Sequence, residues 1–229
     1  MNLRIFDSTD DLIRAAARAI VDAVPPGVAT SIALSGGSTP KPLYKMLGES
    51  PWREELAKSP ITWVVVDERY VPESDPQSNS AMIRQTLFAN GMSDGHRFLR
   101  FRTELNDPAK TAEEFSREWQ SLGLTDLDLI LLGIGDDGHT ASLFPGTEVL
   151  NVEDRIAAAV FVPKVDMWRV TVTKPVIRAA KQRMVLATGE AKKPIFEAMR
   201  NGADYPIAVV TRGLDATWFF VDRAAAPAR

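Results

Sequence analysis

The chain has 229 residues, 45% hydrophobic and 25% charged, with a formal net charge of −3, two histidines and no cysteine. That length supports one domain with a sizeable core. The missing thiols exclude a disulfide framework, thiol catalysis and thiolate metal sites, and the acid-leaning charge gives no electrostatic footprint for nucleic acid.

No run of eighteen apolar residues is present, and MNLRIFDSTDD carries no basic region followed by an apolar one. The expectation is a cytoplasmic protein with neither a membrane span nor a signal peptide. LRIF (3–6) reads as a strand. A helix follows, with Ser8 and Asp11 at capping-box spacing and a stripe of Leu12, Ala15, Ala16, Ala19, Ile20 and Ala23. Pro25-Pro26-Gly27 ends it. TSIAL (30–34) is a buried strand, SGGSTP a turn, and a helix runs to Leu47. ITWVVV (61–66) is the next strand, and 78–88 and 107–123 read as helices. LDLILL (127–132), RIAAAVFV (155–162) and WRVTVT (168–173) are strand-like, and a helix starts near Pro175. RMVLAT (183–188) is a strand, EAKKPIFEAMR a helix, PIAVV (206–210) and ATWFFVD (216–222) strands, and RAAAPAR (223–229) a frayed tail. Strands alternating with helices predict a single α/β domain, Rossmann-like, with a mostly parallel twisted sheet and helices on both faces. Ligands of such sheets sit beyond the carboxyl ends of the strands, so the loops there carry the chemistry.

Three such loops stand out. SGGSTP (35–40) joins a strand to a helix: Gly36 and Gly37 permit close backbone approach and positive φ, and Ser38 or Thr39 can cap. Its free N–H groups suit an anion such as phosphate. VDERYVP (66–72) places Asp67, Glu68 and Arg69 abruptly at the end of an apolar strand. Arg69 can fork onto a phosphate, and a carboxylate there can orient a histidine or bind hydroxyls. LGIGDDGHTASLFPG (132–146) holds Gly133-x-Gly135-x-x-Gly138, the spacing of a dinucleotide fingerprint, with Asp154 about twenty residues on. Pro145-Gly146 stops any helix there too early to cross the sheet, which counts against the dinucleotide reading; a lone histidine is commonly structural, but His139 sits in a Gly-rich loop beyond a buried strand, with Asp137 two residues before it able to fix its tautomer.

Taken together these loops resemble the 6-phosphogluconolactonase family. The matching pieces are SGGSTP, VDERYVP with QSNSAMI (77–83), GIGDDGHTASLFPG (133–146), PKVDMWRVTVTKPVI (163–177) and TGEAKK (188–193), in family order over most of the chain. The resemblance implies one domain related to glucosamine-6-phosphate deaminase, and hydrolysis of 6-phospho-D-glucono-1,5-lactone to 6-phosphogluconate in the oxidative pentose phosphate pathway. It also matches Lys192, Arg69 and Arg169 to family basic residues. They are expected to hold the substrate's phosphate together with Ser35, Gly36, Gly37, Ser38 and Thr39. The related deaminases continue from the loop histidine as I-A-F-N-E-P, whereas this chain reads Thr140-Ala141-Ser142-Leu143-Phe144-Pro145, with Phe144 where the deaminases carry a catalytic glutamate.

No G-x-S-x-G elbow is present, so water is expected to attack the lactone directly, with His139 as base and either Asp137 or Asp67 orienting it. No cofactor is expected, and no metal either, since His96 has no ligand spacing to His139. The expected partner is a phosphorylated sugar lactone, with no nucleic acid or membrane, and a monomer or weak dimer. A deaminase-type enzyme is the alternative. A sugar-phosphate-sensing regulator on this fold is disfavoured, because the chain has no room for an added DNA-binding module.

Overall fold

A computed structural model describes residues 1–228. In chain order it contains β1 (Asn2–Phe6), α1 (Thr9–Asp22), β2 (Thr30–Leu34), α2 (Lys41–Leu47), α3 (Trp52–Leu56), β3 (Ile61–Val65), β4 (Asp67–Arg69), α4 (Asn79–Thr86), β5 (Arg97–Leu99) and α5 (Pro108–Ser121). There follow β6 (Leu129–Gly133), β7 (Ala157–Val162), β8 (Met167–Val172), α6 (Lys174–Ala179), β9 (Gln182–Ala187), α7 (Lys193–Arg200), α8 (Pro206–Thr211) and β10 (Thr217–Asp222). No helix of the described residues is long and apolar enough to cross a membrane.

Seven strands form a wholly parallel sheet in the order β1-β10-β9-β6-β2-β3-β5. From β2 the chain winds outward through β3 to β5. It then returns to the other side of β2 as β6 and winds outward through β9 to β10. Parallel crossovers turn right-handed, so this reversal puts α1–α4 on one face and α5–α8 on the other. The packing agrees: α1 lies against α2 and α3, α2 against α4, and α6 against α8. Central strands covered on both faces lose the apolar–polar alternation, and all five residues of β2 are buried.

Local chemistry explains most element boundaries. Ser8 caps α1, accepting the Asp11 N–H at 3.1 Å and donating its hydroxyl to the Asp11 carboxylate at 2.6 Å. The buried face of α1 is wider than the expected stripe. Ile13, Ala17 and Val21 are buried beside Leu12, Ala16 and Ile20, while Ala15 and Ala19 sit at its edge. The cause is that α1 packs on the sheet with one flank and on α2 and α3 with the other.

Three expectations need correction. β7 and β8 do not join the parallel sheet; they form an antiparallel hairpin that pairs with β4 in a separate sheet, β4-β8-β7. The path of β3 continues through Val66, whose carbonyl accepts the Val172 N–H at 2.8 Å, so the end of β3 recruits β8. PIAVV is not a strand. It lies within α8, where Pro206 opens the helix and most of the run is buried, so the short apolar stretch carries no strand period to read. The segment after Arg223 stays packed rather than frayed at its start: Ala225 is fully buried, and its N–H donates to Asp222 at 2.8 Å.

Alternation along β4 sends Asp67 and Arg69 to one side and Glu68 to the other. Glu68 is 1% exposed and faces the start of α4. Its carboxylate accepts the N–H groups of Asn79 and Ser80, each at 2.7 Å, that of Arg69 at 2.9 Å, and the hydroxyls of Ser80 (2.7 Å) and Ser78 (3.2 Å). It thereby satisfies helix donors that have no partner within the helix and favours the positive end of the dipole. Glu68→Ala leaves these donors buried and unpaired, so it lowers the unfolding free energy in urea titration by about 3 kcal/mol. Glu68→Gln, which keeps one acceptor oxygen, falls between the two.

Candidate active site

The carboxyl ends of the neighbouring strands β9, β6, β2 and β3 open onto a cleft of about 430 Å³. It lies at the winding reversal between β2 and β6, where two loops separate and leave a crevice. Ser35, Gly36, Gly37, Ser38 and Thr39 line it from the loop after β2, and Asp67 and Arg69 from β4. His139 comes from the loop after β6, Arg169 from β8, and Lys192 from the loop after β9. Asp137 stands just behind the wall.

The glycines of the third loop serve its histidine. The Gly135 N–H donates to the His139 carbonyl at 2.8 Å, closing a tight turn. A Cβ on Gly135 would lie 2.0 Å from the imidazole. Gly138 has φ 74° and sits against Tyr205, and its carbonyl receives the Ile207 N–H of α8 at 3.1 Å. Beyond His139 the backbone bridges Thr140 to Leu143 instead of entering a crossover helix.

His139 Nδ1 meets Asp137 Oδ1 at 2.5 Å, and the other oxygen of Asp137 accepts Lys164 Nζ at 2.7 Å. Burial pushes the Asp137 carboxyl up, but the hydrogen bonds from Lys164 and His139 outweigh it and hold the group well below the usual carboxylate range. The imidazole stacks on Phe144, with ring centroids 3.9 Å apart at 21°. Asp67 is engaged elsewhere. Its carboxylate accepts the buried Ser142 hydroxyl at 2.6 Å, and its carbonyl accepts the Asn79 amide at 2.7 Å. Of the two carboxylates, the geometry puts Asp137 on the histidine.

Arg69 and Arg169 face each other in register across β4 and β8. Like charges directly opposite are unfavourable in a sheet. The Nε of each is buried with no partner among the described residues. Burial depresses the Arg169 guanidinium, Asp67 opposes that, and Arg69 adds to it. Arg69 Nη1 donates to the Gln77 carbonyl at 2.6 Å, and two crowded guanidinium groups, each with an unpaired Nε, have the chemistry to receive an anion. Lys192 approaches from the far side of β6, and its Nζ is paired with the exposed Asp136. The loop that carries it is tied down by Asp222, whose two oxygens each accept the Gly189 N–H at 3.1 Å.

The first loop differs from expectation in two details. Neither Ser38 nor Thr39 caps α2: Pro40 occupies the cap with no side-chain hydrogen bond, and the Thr39 hydroxyl instead meets that of Thr188 at 3.2 Å. Gly36 is needed for the protein as well as for a ligand, since a Cβ there would lie 1.8 Å from the Asn79 amide oxygen. Ser35 turns a buried hydroxyl, without a partner among the described residues, to the same region.

Sequence reasoning did not single out Asn79, Ser142, Lys164 or Thr188. All four lie inside the quoted motifs, but only the tertiary fold brings Asn79 and Ser142 to Asp67, Lys164 to Asp137 and Thr188 to Thr39. His96 accepts the Trp63 indole N–H at 3.1 Å, beside the start of β5 and thus at the opposite end of the sheet from the cleft. Among the described residues no group of three or more His, Asp or Glu converges as a metal site.

Residues 7–218 match the family model described as glucosamine-6-phosphate isomerases/6-phosphogluconolactonase. The chain belongs to that family. The 6-phosphogluconolactonase of Haemophilus influenzae is 34% identical over 199 residues, 85% of each chain. Among solved structures, the 6-phosphogluconolactonase of Trypanosoma cruzi superposes with a TM-score of 0.85 at 29% identity, covering 98% of this chain and 95% of the other. A monomeric glucosamine-6-phosphate deaminase shares the fold, with a TM-score of 0.81 at 23% identity over 98% of each chain. This member of the family thus has the expected α/β architecture. Gly135→Ala tests the fit of its histidine loop: the added methyl displaces the imidazole, so its NMR resonances shift while circular dichroism stays that of the parent. Unshifted His139 resonances would contradict the packing described.

Proposed function

We propose that the protein hydrolyses 6-phospho-D-glucono-1,5-lactone to 6-phosphogluconate, the lactonase step of the oxidative pentose phosphate pathway. The observation that carries the reading is the His139 imidazole, oriented by Asp137 within a cleft that also holds the Arg69–Arg169 pair and Lys192. The family's named lactonases support it. So does Phe144, which has no proton to exchange at the position of the deaminases' glutamate.

A lactone is an ester whose leaving group is the ring oxygen. With Nδ1 held by Asp137, Nε2 is the nitrogen left to work in the cleft. It removes a proton from a water molecule as the water oxygen bonds to C1. Collapse of the tetrahedral adduct breaks the bond between C1 and the ring oxygen, and the imidazolium returns its proton to that oxygen. The acid formed ionises to the carboxylate. Asp137 holds the tautomer and stabilises the charged ring in between. Arg69, Arg169, Lys192 and the loop Ser35–Thr39 supply charge and N–H donors for the phosphate and for the developing oxyanion. Asp67, fixed by Ser142, has the chemistry to receive a sugar hydroxyl.

The test is a coupled assay: glucose-6-phosphate dehydrogenase generates the lactone, 6-phosphogluconate dehydrogenase reports the product, and spontaneous hydrolysis is subtracted. Turnover above that background is expected, and ammonia release from glucosamine 6-phosphate would instead indicate a deaminase. His139→Asn lowers kcat by about 10²–10⁴ with the fold intact, the usual cost of removing a general base; parental turnover in that variant would remove His139 from the mechanism. Lys192→Ala raises KM for the phosphorylated lactone about ten- to a hundredfold and barely alters turnover of unphosphorylated gluconolactone, as expected of a charge-assisted phosphate contact. Equal losses on both substrates would assign Lys192 to structure.

A further inference from the structure

Lys164 does not line the cleft. It stands at the tip of the β7–β8 hairpin, in the 3₁₀ turn Pro163–Val165. From there its Nζ reaches Asp137 Oδ2 at 2.7 Å, while Oδ1 of the same carboxylate holds His139 Nδ1 at 2.5 Å. We infer that Lys164 is a positioning residue for His139: it pins the second oxygen of Asp137, and so sets both the angle of the imidazole and the charge behind it. The inference rests on the reading of His139 as the base.

An exposed lysine in an ion pair is ordinarily a surface charge of little consequence. Two features set this one apart. Its partner is mostly buried, with 21% of the Asp137 side chain exposed, and a carboxylate there with one oxygen unheld could rotate away from the ring. The tip that carries Lys164 is also braced. Asp166 closes the turn at φ 47°, and Phe161 and Trp168, opposite each other across the hairpin, meet edge to face with centroids 5.6 Å apart.

The charged groups around the imidazole are Asp136 and Asp137 on its own loop, Asp67, Arg69 and Arg169 on the small sheet, Lys192 beyond β9, paired with Asp136, and Lys164. Lys164 is the cation joined to His139 through a shared hydrogen-bond partner. Its positive charge offsets that of Asp137 and disfavours the protonated ring. Removing it leaves the carboxylate uncompensated behind the base.

Lys164→Met, Lys164→Arg and His139→Asn are compared with the parent protein in the coupled assay across pH, with thermal melting to verify folding. For Lys164→Met we expect kcat to fall about tenfold and KM to stay within about twofold. The acid limb of kcat/KM should move upward by about half to one pH unit, the scale set by one charge a few ångströms beyond its partner. Lys164→Arg should restore the limb. An unmoved limb in Lys164→Met overturns the inference, whether kcat is unchanged or falls without rescue by arginine. Parental activity in His139→Asn overturns the base reading itself, and is read separately from both lysine variants.

Discussion

Everything in the cleft depends on where the sheet reverses its winding. A parallel sheet delivers all of its strand ends on one side, but loops that leave neighbouring strands in the same direction cover one another. Here β2 feeds α2 on one face, whereas the crossovers on either side of β6 run over the other. The loops after β2 and β6 therefore diverge and leave backbone N–H groups and side chains facing an open space. The small sheet completes the enclosure. It grows from the end of β3 through Val66, brings Arg169 into the crevice and sets Lys164 on Asp137 behind its wall.

The cleft is also where the molecule tolerates unfavourable electrostatics. Arg69 opposes Arg169 across two strands, and Ser35 and Thr140 keep buried hydroxyls without partners among the described residues. Elsewhere among the described residues the buried side-chain polar atoms have partners, Arg53 Nε excepted. Glu68 receives five hydrogen bonds one residue from Arg69, and Arg183 is directed to the carbonyls at the end of α6 and to Thr217. The contrast within one three-residue strand separates a structural residue from ones suited to a ligand: Glu68 is complete in the protein alone, and Arg69 is not.

Much of this was legible in the sequence. The apolar runs of β2, β3, β6 and β9 are dense enough to read as strands, and the loops after them hold the residues that meet in the cleft. Ser8 with Asp11 announced the cap of α1. Illegible parts have physical causes. PIAVV has too few residues to show a period, so the sequence does not mark α8 as the helix that braces Gly138. Membership of the small sheet depends on a long-range pairing between Val66 and Val172 that leaves no local pattern. The choice between Asp137 and Asp67 as partner of His139 depends on side-chain distances, and spacing alone permits both. Lys164 was hidden because a lysine in a turn looks like any solvated charge.

The ring of Phe144 under His139 has a further consequence. Nitrogen and oxygen side chains next to a catalytic imidazole form relays along which a proton can travel away from the reaction. An aromatic face holds the imidazole by contact and dispersion and gives that proton nowhere to go. At the Nδ1 edge of the ring, Asp137 already accepts the imidazole, the His139 backbone N–H and Lys164. In the proposed reaction the proton taken from water is therefore confined to one nitrogen until the ring oxygen claims it, and Phe144 offers no group to carry hydrogen from one carbon to another.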